Sequence, residues 1–520
     1  MKTYSVVYES VLTFHLLPTE EINRAKSVLV QIYSTYRSRS MLEKIAHEVQ
    51  IFFPEAVIVG ITTFGDIHNN AFSEHKTIIA ISTFEKTRLT SYSLGEIEDD
   101  QTFDAGKLLA KKVIRRDTKL LLLFCDTLQL NPEELLAGIT TVNDKTPVCG
   151  GLAADYGKFF ETILVHNDQT ISKGAVAVGL SGSNLTVAMK AIVDLHVVGP
   201  DLEITSSKKN RVHEINGTIA AELYEHYLGK TFLEKFPLSG LEIALVTETD
   251  GLQIARNATS LYEDGSIRYT GNINPEKKWK FGYIDRQVSS TFCFPTLAGK
   301  RSFETFFLFS DASHQLLNKE RLYETLEMLS QNTTTVGYFG YGQFFHKENK
   351  TYLLNQAMVV LGLSERKEKK EEVQKECKTF PADTSEEATV LTNSLSHLSR
   401  VMFEELELRE SALDILMEEY TAGVILYNSD LLMERCNKAA EKLLGLGTKL
   451  SLRKDLHRME SWIVSLLEET LEGKFHSKIG SVVDPVTGGE KEVHIDTLPI
   501  VNRGVVKGGI AIVREHRVDV

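Results

Sequence analysis

Short apolar runs alternate with helical periods along the first 190 residues. Each run is bounded by polar or glycine-containing turns, as expected for buried strands; the runs are 56–65, 75–84, 121–126, 163–168 and 174–182. The last two runs predict strands joined as a hairpin. After the third run, Asn131 and Pro132 predict the start of a helix, because asparagine caps helices and proline suits their first turn. Neighbouring strands of this kind disfavour a purely parallel sheet, so a mixed α/β or α+β fold is expected.

The pattern starts again in a second block, which ends near Ser364. A helix is predicted over 215–229, with Asn216 as its cap and Gly229 as its end. Several strand candidates follow. The last two, TTTVGYFGYGQF and TYLLNQAMVVLGLSE, flank the turn-forming segment HKENK. This block is therefore predicted to be another mixed α/β half.

Residues 365–389 differ in composition from their neighbours. They are dense in both signs of charge, which predicts a solvated tether. A helical period resumes after this segment, and its apolar residues step by three or four; they are Leu391, Leu395, Leu398, Met402 and Leu406. Two copies of such a stripe can pair, so a homodimer through this helix is expected. The stripe is short, and docking onto the chain's own domains is the alternative.

The last part of the chain forms a further block. A strand, a turn and a second strand are followed by a helix that begins near Asn437, by a later helix, and by two closing strands with alternating faces. The chain is therefore predicted to divide into four regions: 1–190, 191–364, 365–415 and 416–520. They correspond to two mixed α/β halves, a helical connector and a smaller α+β domain, so the overall class is α+β.

Composition narrows the class of protein. A chain of 520 residues is too long for one hydrophobic core. Its net charge of −13 disfavours nucleic acid and anionic membrane as partners, because phosphate contacts need clustered Lys and Arg. No apolar run approaches the length of about 18 residues that spans a bilayer, and the first residues do not have the pattern of a signal peptide. The five cysteines contain no CxxC pair, so reduced thiols and a cytoplasmic location are expected.

Three bends rich in small residues follow predicted strands, at 60–67, 147–157 and 338–343. Glycine permits a positive φ and leaves backbone amides open to a close ligand, although a tight structural turn is the alternative. Ligand sites gather where strands end in loops, so we expect the three bends to share one site. The candidate ligand contacts are Thr62, Thr63, Asp66, Gly150, Gly151, Asp155, Tyr341, Gln343 and Asn355.

These bends resemble those of a known family. GITTFGDI is similar to the GCSTAGEI-type turn of the FIST domain, and CGGLAADYGKF looks like its GGLAGDG-type segment. VVGPDLEIT and NRVHEINGTIAAEL resemble the start of the C-terminal FIST half, and GYFGYGQF with LLNQAMVV resembles its closing strands. The likeness spans about residues 20–364. The sequence departs from the family at Phe64, Asp66, Gln343, Leu354 and Ala357, where the family has a small residue, Glu, Glu, His, and Thr or Ser.

The resemblance implies an intracellular sensory module that binds a small molecule, such as an amino acid or another metabolite. A charge is lost at Gln343 and a ring at Leu354, so the resemblance alone does not predict the ligand. Because the sequence contains no recognised effector segment, the expected output is a downstream signalling protein or a part absent from this chain. A scaffold that binds a partner and no ligand is an alternative.

The C-terminal block resembles a PAS domain. GVIL and the later segment NKAAEKLLG follow the family's pattern, and HIDTLPI and GGIAIVRE fit its closing strands. Asn437 begins the second of these segments, and the usual role of such an asparagine is to cap the helix. The resemblance implies a small sensory or relay domain after the connector helix.

The sequence signals for catalysis and for a cofactor are weaker than the two family resemblances. GLSGS misses the GxSxG nucleophile elbow by one residue, so no catalytic residue and no metal ligand is predicted. Cys149 could react only if its pKa were depressed, and His397 is most simply a surface residue. Some proteins of the FIST family are regarded as haem-dependent nitric oxide sensors, which makes haem an alternative cofactor. His68, His166 and His196 lie near the family motifs and could supply an axial ligand.

Overall fold

A computed structural model gives the fold. It describes all residues except 70, 127, 194, 285–289, 294–302, 318, 331–332, 367–376, 381–389, 445–454, 484–487, 503 and 517–520. The described residues form two compact units, Met1–Ser399 and Arg400–Val520. Helices and strands are mixed in both units, which confirms the predicted α+β class.

The first part of the larger unit alternates strands and helices. Its strands are β1 Lys2–Val7, β2 Ser27–Ser34, β3 Val57–Thr62, β4 Gly65–His68, β5 Ala71–Ser73, β6 Thr77–Phe84, β7 Arg88–Leu94, β8 Thr118–Cys125, β9 Val148–Leu152, β10 Leu164–His166, β11 Gln169–Ile171, β12 Ala175–Ser181 and β13 Thr186–Val193. Its α-helices are α1 Thr19–Asn23, α2 Arg39–Phe52, α3 Thr102–Val113 and α4 Pro132–Val142.

The second part of the larger unit is richer in strands. They are β14 His196–Lys208, β15 Arg211–Ile215, β16 Thr218–Ile219, β17 Ala244–Thr249, β18 Leu252–Arg256, β19 Ala258–Leu261, β20 Ile267–Tyr269, β21 Lys278–Tyr283, β22 Ser290–Cys293, β23 Thr305–Asp311, β24 Thr334–Gly340, β25 Gln343–Lys347, β26 Lys350–Leu354, β27 Ala357–Ser364 and β28 Cys377–Phe380. The helices are α5 Ala220–Leu228, α6 Lys230–Glu234, α7 Ser239–Glu242, α8 Ala312–Leu317 and α9 Lys319–Ser330.

Four large sheets organise this unit. The first sheet has the order β1-β6-β2-β3-β10-β11, the second β26-β25-β9-β8-β12-β7, and the third β13-β27-β23-β24-β4-β5. The fourth sheet has eight strands in the order β18-β17-β21-β14-β15-β20-β19, with β16 paired to β15. Strands from both predicted halves share the second and third sheets, so the two halves are built into one another. The predicted boundaries themselves remain predictions.

Strand β8 illustrates why the central runs are apolar without alternation. Leu121, Leu123 and Cys125 enter one core, while Leu120, Leu122 and Phe124 enter another. Successive side chains of a strand point to opposite faces, and both faces of β8 are covered. A continuous apolar run therefore marks a strand that lies between two cores.

Several local predictions are confirmed, and three need correction. Helix α4 begins at Pro132 with Asn131 as its cap, and α5 ends at Gly229, whose φ is +84°. However, α5 begins only at Ala220. Asn216 lies in a turn with φ +54°, and its side chain accepts a hydrogen bond from the backbone N–H of Glu203 at 2.7 Å. A local turn competes here with the helix cap, as asparagine often allows.

The predicted hairpin between 163–168 and 174–182 is wrong. Strand β10 pairs with β11 and β3, whereas β12 pairs with β7 and β8 in the second sheet. The two strands that were predicted to flank HKENK are each divided in two, β24 with β25 and β26 with β27. The divisions occur because the chain passes from the third sheet to the second and back again.

The smaller unit contains one antiparallel sheet with the order β30-β29-β33-β32-β31. Its strands are β29 Gly423–Asn428, β30 Met433–Cys436, β31 His476–Val483, β32 Glu490–Asn502 and β33 Val505–Glu515, and its helices are α11 Lys438–Leu444 and α12 Ser461–Thr470. The two predicted closing strands are present as β32 and β33, and they pair with each other.

The predicted connector helix is present as α10, Val390–Glu419, and the division between the two units falls within it. Leu391 and Leu398 are buried, whereas Met402 and Leu406 are 38% and 54% exposed. The first part of the apolar stripe thus packs against the larger unit, and the second part faces solvent. Most of the predicted tether, 365–389, lies outside the described residues.

Candidate functional site

The three bends lie side by side, and each carries the chain from one sheet to another. We call them the threonine bend (60–67), the glycine bend (147–157) and the tyrosine bend (338–343). The backbone N–H of Ala154 donates to the carbonyl of Thr62 at 2.9 Å, and that of Phe64 donates to Phe339 at 2.8 Å. Leu152 donates likewise to Gly342 at 2.8 Å. The expected proximity of the bends is therefore observed.

Close packing accounts for the two central glycines. Gly150 has a φ of +123°, and a Cβ there would lie 2.2 Å from the carbonyl oxygen of Leu123. A Cβ on Gly151 would lie 2.5 Å from the oxygen of Gly342. Both residues belong to β9, which pairs with β8 on one edge and with β25 on the other. Because the neighbouring strands pack closely against the backbone of both residues, a tight structural role explains the two glycines.

Asp155 anchors its own loop. Its fully buried carboxylate accepts hydrogen bonds from the backbone N–H groups of Phe159 at 2.8 Å, Phe160 at 2.6 Å and Glu161 at 3.2 Å. It also accepts a bond from the hydroxyl of Tyr341 at 2.6 Å. The phenol ring of Tyr341 stacks on Phe159 with ring centres 4.4 Å apart. Since both carboxylate oxygens are already engaged, Asp155 organises the bend in this structure.

Three more of the candidate contacts are engaged by the protein itself. The hydroxyl of Thr62 accepts a bond from the N–H of Ile163 at 3.0 Å, and the hydroxyl of Thr63 donates to Asp66 at 2.7 Å. The amide of Asn355 donates to the carbonyl of Tyr341 at 2.6 Å and accepts from the hydroxyl of Thr270 at 2.7 Å. These bonds hold the bends together.

Asp66 and Gln343 are different, because each keeps a buried polar atom without a partner. Asp66 Oδ2 is unpaired, and so are both amide atoms of Gln343, although both residues are at most 1% exposed. The hydroxyl of Tyr338, which the sequence analysis did not single out as a contact, is buried and unpaired as well. Buried polar groups are usually satisfied, so such a group needs an explanation.

The three groups face one region of the interior. Tyr338 pairs with Asp66 across β24 and β4, and Gln343 pairs with Gly151 across β25 and β9. Directly paired residues project to the same face of a sheet. A Cβ on Gly151 would lie 3.0 Å from the hydroxyl of Tyr338, so the two pairs are brought together where Gly151 has no side chain. We call this set (Asp66, Gly151, Tyr338, Gln343) the polar interior.

Burial controls the titration of this region. Desolvation raises the pKa of Asp66 to about 8, and the hydrogen bond from Thr63 only partly opposes it. The carboxyl group is therefore mostly protonated at neutral pH and can donate a hydrogen bond. Burial also raises the pKa of Cys149 to about 12. A thiol with so high a pKa is not a nucleophile at neutral pH, so the reactive-thiol interpretation is not supported.

Two of the three histidines near the bends have both ring nitrogens engaged by the protein. The ring of His68 contacts the hydroxyl of Ser5 at 2.6 Å and the amide of Asn69 at 3.4 Å. Both ring nitrogens of His166 contact serine hydroxyls, at 2.8 and 2.9 Å. Axial ligation needs a free ring nitrogen. His196 lies in β14 with its ring against Tyr283. These contacts leave the haem alternative without a supporting observation in the described chain.

Two further features bear on the class of protein. Among the described residues, no group of three or more His, Cys, Asp or Glu side chains is arranged to hold a metal ion. None of the helices in the described ranges combines the length and the apolar composition needed to cross a bilayer.

Comparison with known proteins identifies one region. The FIST N domain matches residues 28–218, which contain the threonine and glycine bends. The match extends beyond the predicted boundary at residue 190 and ends in β16. No curated protein matches the sequence.

Several solved structures resemble parts of the chain. The PAS domain of BvgS from Bordetella pertussis is 18% identical and covers 21% of this chain and 88% of its own, with a TM-score of 0.17. A PAS domain of an HTR-like protein from Haloarcula marismortui is 16% identical and covers 22% and 99%, with a TM-score of 0.19. The E. coli DhaR(N)–DhaL complex is 12% identical and covers 41% and 62%, with a TM-score of 0.20. These TM-scores are too low for the likenesses to bear on function.

Proposed function

We propose that this chain, which contains a FIST N domain and is a sensory signal-transduction protein, binds a small molecule at the polar interior. In this proposal, binding favours one arrangement of the bends, and α10 carries that bias to a PAS-like C-terminal unit and on to a partner protein. A ligand can shift such an equilibrium only by its difference in affinity for the two states. The site must therefore contain groups whose bonding changes on binding.

The unpaired polar atoms of Asp66, Tyr338 and Gln343 support this proposal. An unpaired polar group in a protein interior costs about 1–3 kcal/mol relative to a paired one. A polar ligand that pairs with all three groups would gain more binding free energy than it would at a site whose polar groups are already hydrogen-bonded. The protonated Asp66 and the hydroxyl of Tyr338 can donate hydrogen bonds, and the amide of Gln343 can donate and accept.

The ends of α10 support the proposed relay. In the larger unit, the N–H of Leu391 donates to the carboxylate of Glu242 at 2.7 Å, and the ring of His397 lies 3.0 Å from the carbonyl of His226. In the smaller unit, the amide of Asn437 donates to the carbonyl of Met417 at 2.9 Å. The helix is therefore attached at its start to one unit and at its end to the other.

Native mass spectrometry of freshly purified protein tests the proposal. Wild-type protein is expected to retain a small molecule as additional mass, and Gln343→Leu is expected to lose it. Without ligand, the free energy of unfolding of the same variant is expected to be higher by about 1–3 kcal/mol, because the substitution removes unpaired buried groups. The variant should therefore also unfold at a higher temperature.

Gln253→Leu is the matched control. Its amide is paired with both backbone groups of Leu195, so this variant is expected to lose stability and keep the retained mass. If wild-type protein and Gln343→Leu carry the same mass, or if neither carries any, the polar interior is not the ligand site. A less stable Gln343→Leu protein would also contradict the argument, since the amide would then have a partner.

A further inference from the structure

The five cysteines of the chain differ in their placement. Cys125 and Cys149 are buried in β8 and β9, Cys436 is half-buried at the end of β30, and all three are free thiols. The other two are far apart in the sequence. Cys293 is the last residue of β22, and Cys377 is the first residue of β28.

Strands β22 and β28 form a two-stranded antiparallel sheet, separate from the four large sheets of the larger unit. Four residue pairs define its register, and the pair at one end is Cys293 opposite Cys377. The next pair is Phe292 opposite Lys378. A shift of one residue would therefore separate the two cysteines, so the register itself brings them together.

The backbone spacing at this pair suits a disulfide. Residues directly opposite each other in an antiparallel pair have Cα atoms about 4.5 or 5.5 Å apart, depending on their hydrogen bonding. Disulfides join residues whose Cα atoms are about 4.4–6.8 Å apart. Both spacings lie within this range, and the two cysteines belong to the same face of the sheet. A bond between them needs no large movement of the backbone.

This small sheet should gain stability from such a bond. Each strand has four residues, and the sheet has only these two strands. Isolated two-stranded sheets are marginally stable. The strands are also distant in the chain, so their pairing closes a long loop at an entropic cost. A disulfide removes most of that cost, because it keeps the two ends together when the sheet opens.

We propose that Cys293 and Cys377 form a reversible disulfide by exchange with a low-molecular-weight disulfide such as oxidised glutathione. The thiolate of one cysteine attacks the small disulfide, forms a mixed disulfide and releases one small thiol. The second cysteine then displaces the other small thiol, and the protein S–S bond forms. The two cysteines are oxidised, the small disulfide is reduced to two thiols, and the two cysteine protons end on those thiols.

The position of the bond gives it a consequence for the connector. Strand β28 is the last element that the structure describes before α10. A disulfide would therefore tie the segment that leads into the connector helix to β22. Disulfides in reducing compartments are usually transient or redox-sensing, so the expected reduced thiols are one of two states. The proposal goes beyond the proposed function, because it does not depend on the polar interior.

Peptide mapping of the full-length protein tests the proposal. The protein is equilibrated in glutathione buffers of graded redox potential, its remaining thiols are blocked, and the digest is analysed by mass spectrometry. A peptide that joins Cys293 to Cys377 is expected. Its equilibrium constant of formation is expected to be at least roughly tenfold larger in the folded chain than in the urea-unfolded chain, since only the fold sets the register.

Cysteine variants identify the partners. Cys377→Ser is expected to lose the joined peptide and to keep glutathione on Cys293, because the second thiol that would displace it is missing. Cys436→Ser is the matched control and is expected to form the joined peptide as wild-type protein does. In wild-type protein, the amides of 290–293 and 377–380 are expected to exchange hydrogen more slowly after oxidation than before it.

Three results would overturn the proposal. They are the absence of the joined peptide in excess oxidised glutathione, equal equilibrium constants in the folded and urea-unfolded chains, and loss of the joined peptide in Cys436→Ser. Each can occur whether or not the polar interior retains a ligand in the mass spectrometer, so the two proposals fail separately.

Discussion

At the scale of the residue, the buried carboxylates at the bends have opposite roles. Asp155 accepts four hydrogen bonds, three of them from the loop that follows it and one from Tyr341, which is 186 residues away in the chain. Asp66 has one hydrogen-bonded oxygen and one free oxygen. The first carboxylate is a structural anchor, and the second keeps one buried oxygen without a partner.

Replacement of the anchor should therefore unfold the bend. Asp155→Ala is expected to lower the free energy of unfolding by about 3 kcal/mol or more, because three backbone N–H groups and a buried hydroxyl lose their acceptor. Thermal melting followed by circular dichroism measures this loss. Asp168→Ala, at an exposed turn, is the control and is expected to change stability by less than about 0.5 kcal/mol. An unchanged melting temperature for Asp155→Ala would instead favour a direct role in ligand binding.

The free carboxyl group should make stability depend on pH. The pKa of Asp66 is about 8 in the folded chain and close to the ordinary 3.8 in the unfolded chain. The folded state thus holds a proton that the unfolded state releases, and stability falls as the pH rises through this window. The slope is at most about 1.4 kcal/mol per pH unit.

Asp66→Asn imitates the protonated side chain and should remove that slope. We expect the variant and wild-type protein to be equally stable near pH 4, and the variant to be the more stable above pH 8. Urea unfolding at a series of pH values measures the difference. If the difference in stability between the two proteins is constant across this range, Asp66 does not carry the proton.

At the scale of the element, the side chain of Asn437 holds the end of α10 through its amide. The amide nitrogen of Asn437 donates to the carbonyls of Met417 at 2.9 Å, Tyr420 at 3.2 Å and Ala422 at 2.9 Å. Its amide oxygen accepts from the N–H groups of Val424 and Ala440, both at 2.9 Å. The predicted helix cap is thus present, and the same residue also fastens the end of the connector helix.

Two substitutions separate these roles. Asn437→Asp keeps the acceptor for Ala440 and loses the donor to Met417, so it should loosen the end of α10 while α11 stays capped. Asn437→Ala should lose both, with a cost of about 2–4 kcal/mol. Hydrogen exchange of the amides in 413–419 and 438–444 distinguishes them. Equal protection of both segments in Asn437→Asp and wild-type protein would show that the tie to α10 carries no stability.

At the scale of the whole molecule, the predicted homodimer depends on the exposed part of the α10 stripe. Met402 and Leu406 remain solvent-exposed in the single chain. Such apolar side chains on one helix face are typical of a surface that pairs with a second helix.

Light scattering coupled to size exclusion tests the dimer. We expect wild-type protein at twice the chain mass of 58.4 kDa, and the double variant Met402→Glu, Leu406→Glu at the mass of one chain. Leu16→Glu is the control, because Leu16 is a similarly exposed apolar residue far from α10 in sequence. A monomeric wild-type protein, or a dimer in the double variant, would contradict the predicted pairing.

The sequence by itself determined many of the elements and several of the residues that start or end them. The cap at Asn131, the end of α5 at Gly229 and the run of α10 follow from short-range hydrogen bonding and from apolar periodicity, which involve only neighbours in the chain. The apolar run of β8 predicted a buried strand for the same reason. The three bends were also recognisable, because glycine and small polar residues cluster there.

Only the tertiary structure decided which strands pair and what the bends do. Strand β12 joins β7 and β8 and not β10, and the acceptor that Tyr341 meets is 186 residues away in the chain. Gly151 is required because Gly342 and Tyr338 approach it from another strand and another sheet. Whether a polar atom is bonded depends on such distant partners, so the saturation of Asp155 and the free oxygen of Asp66 could not be read from local sequence.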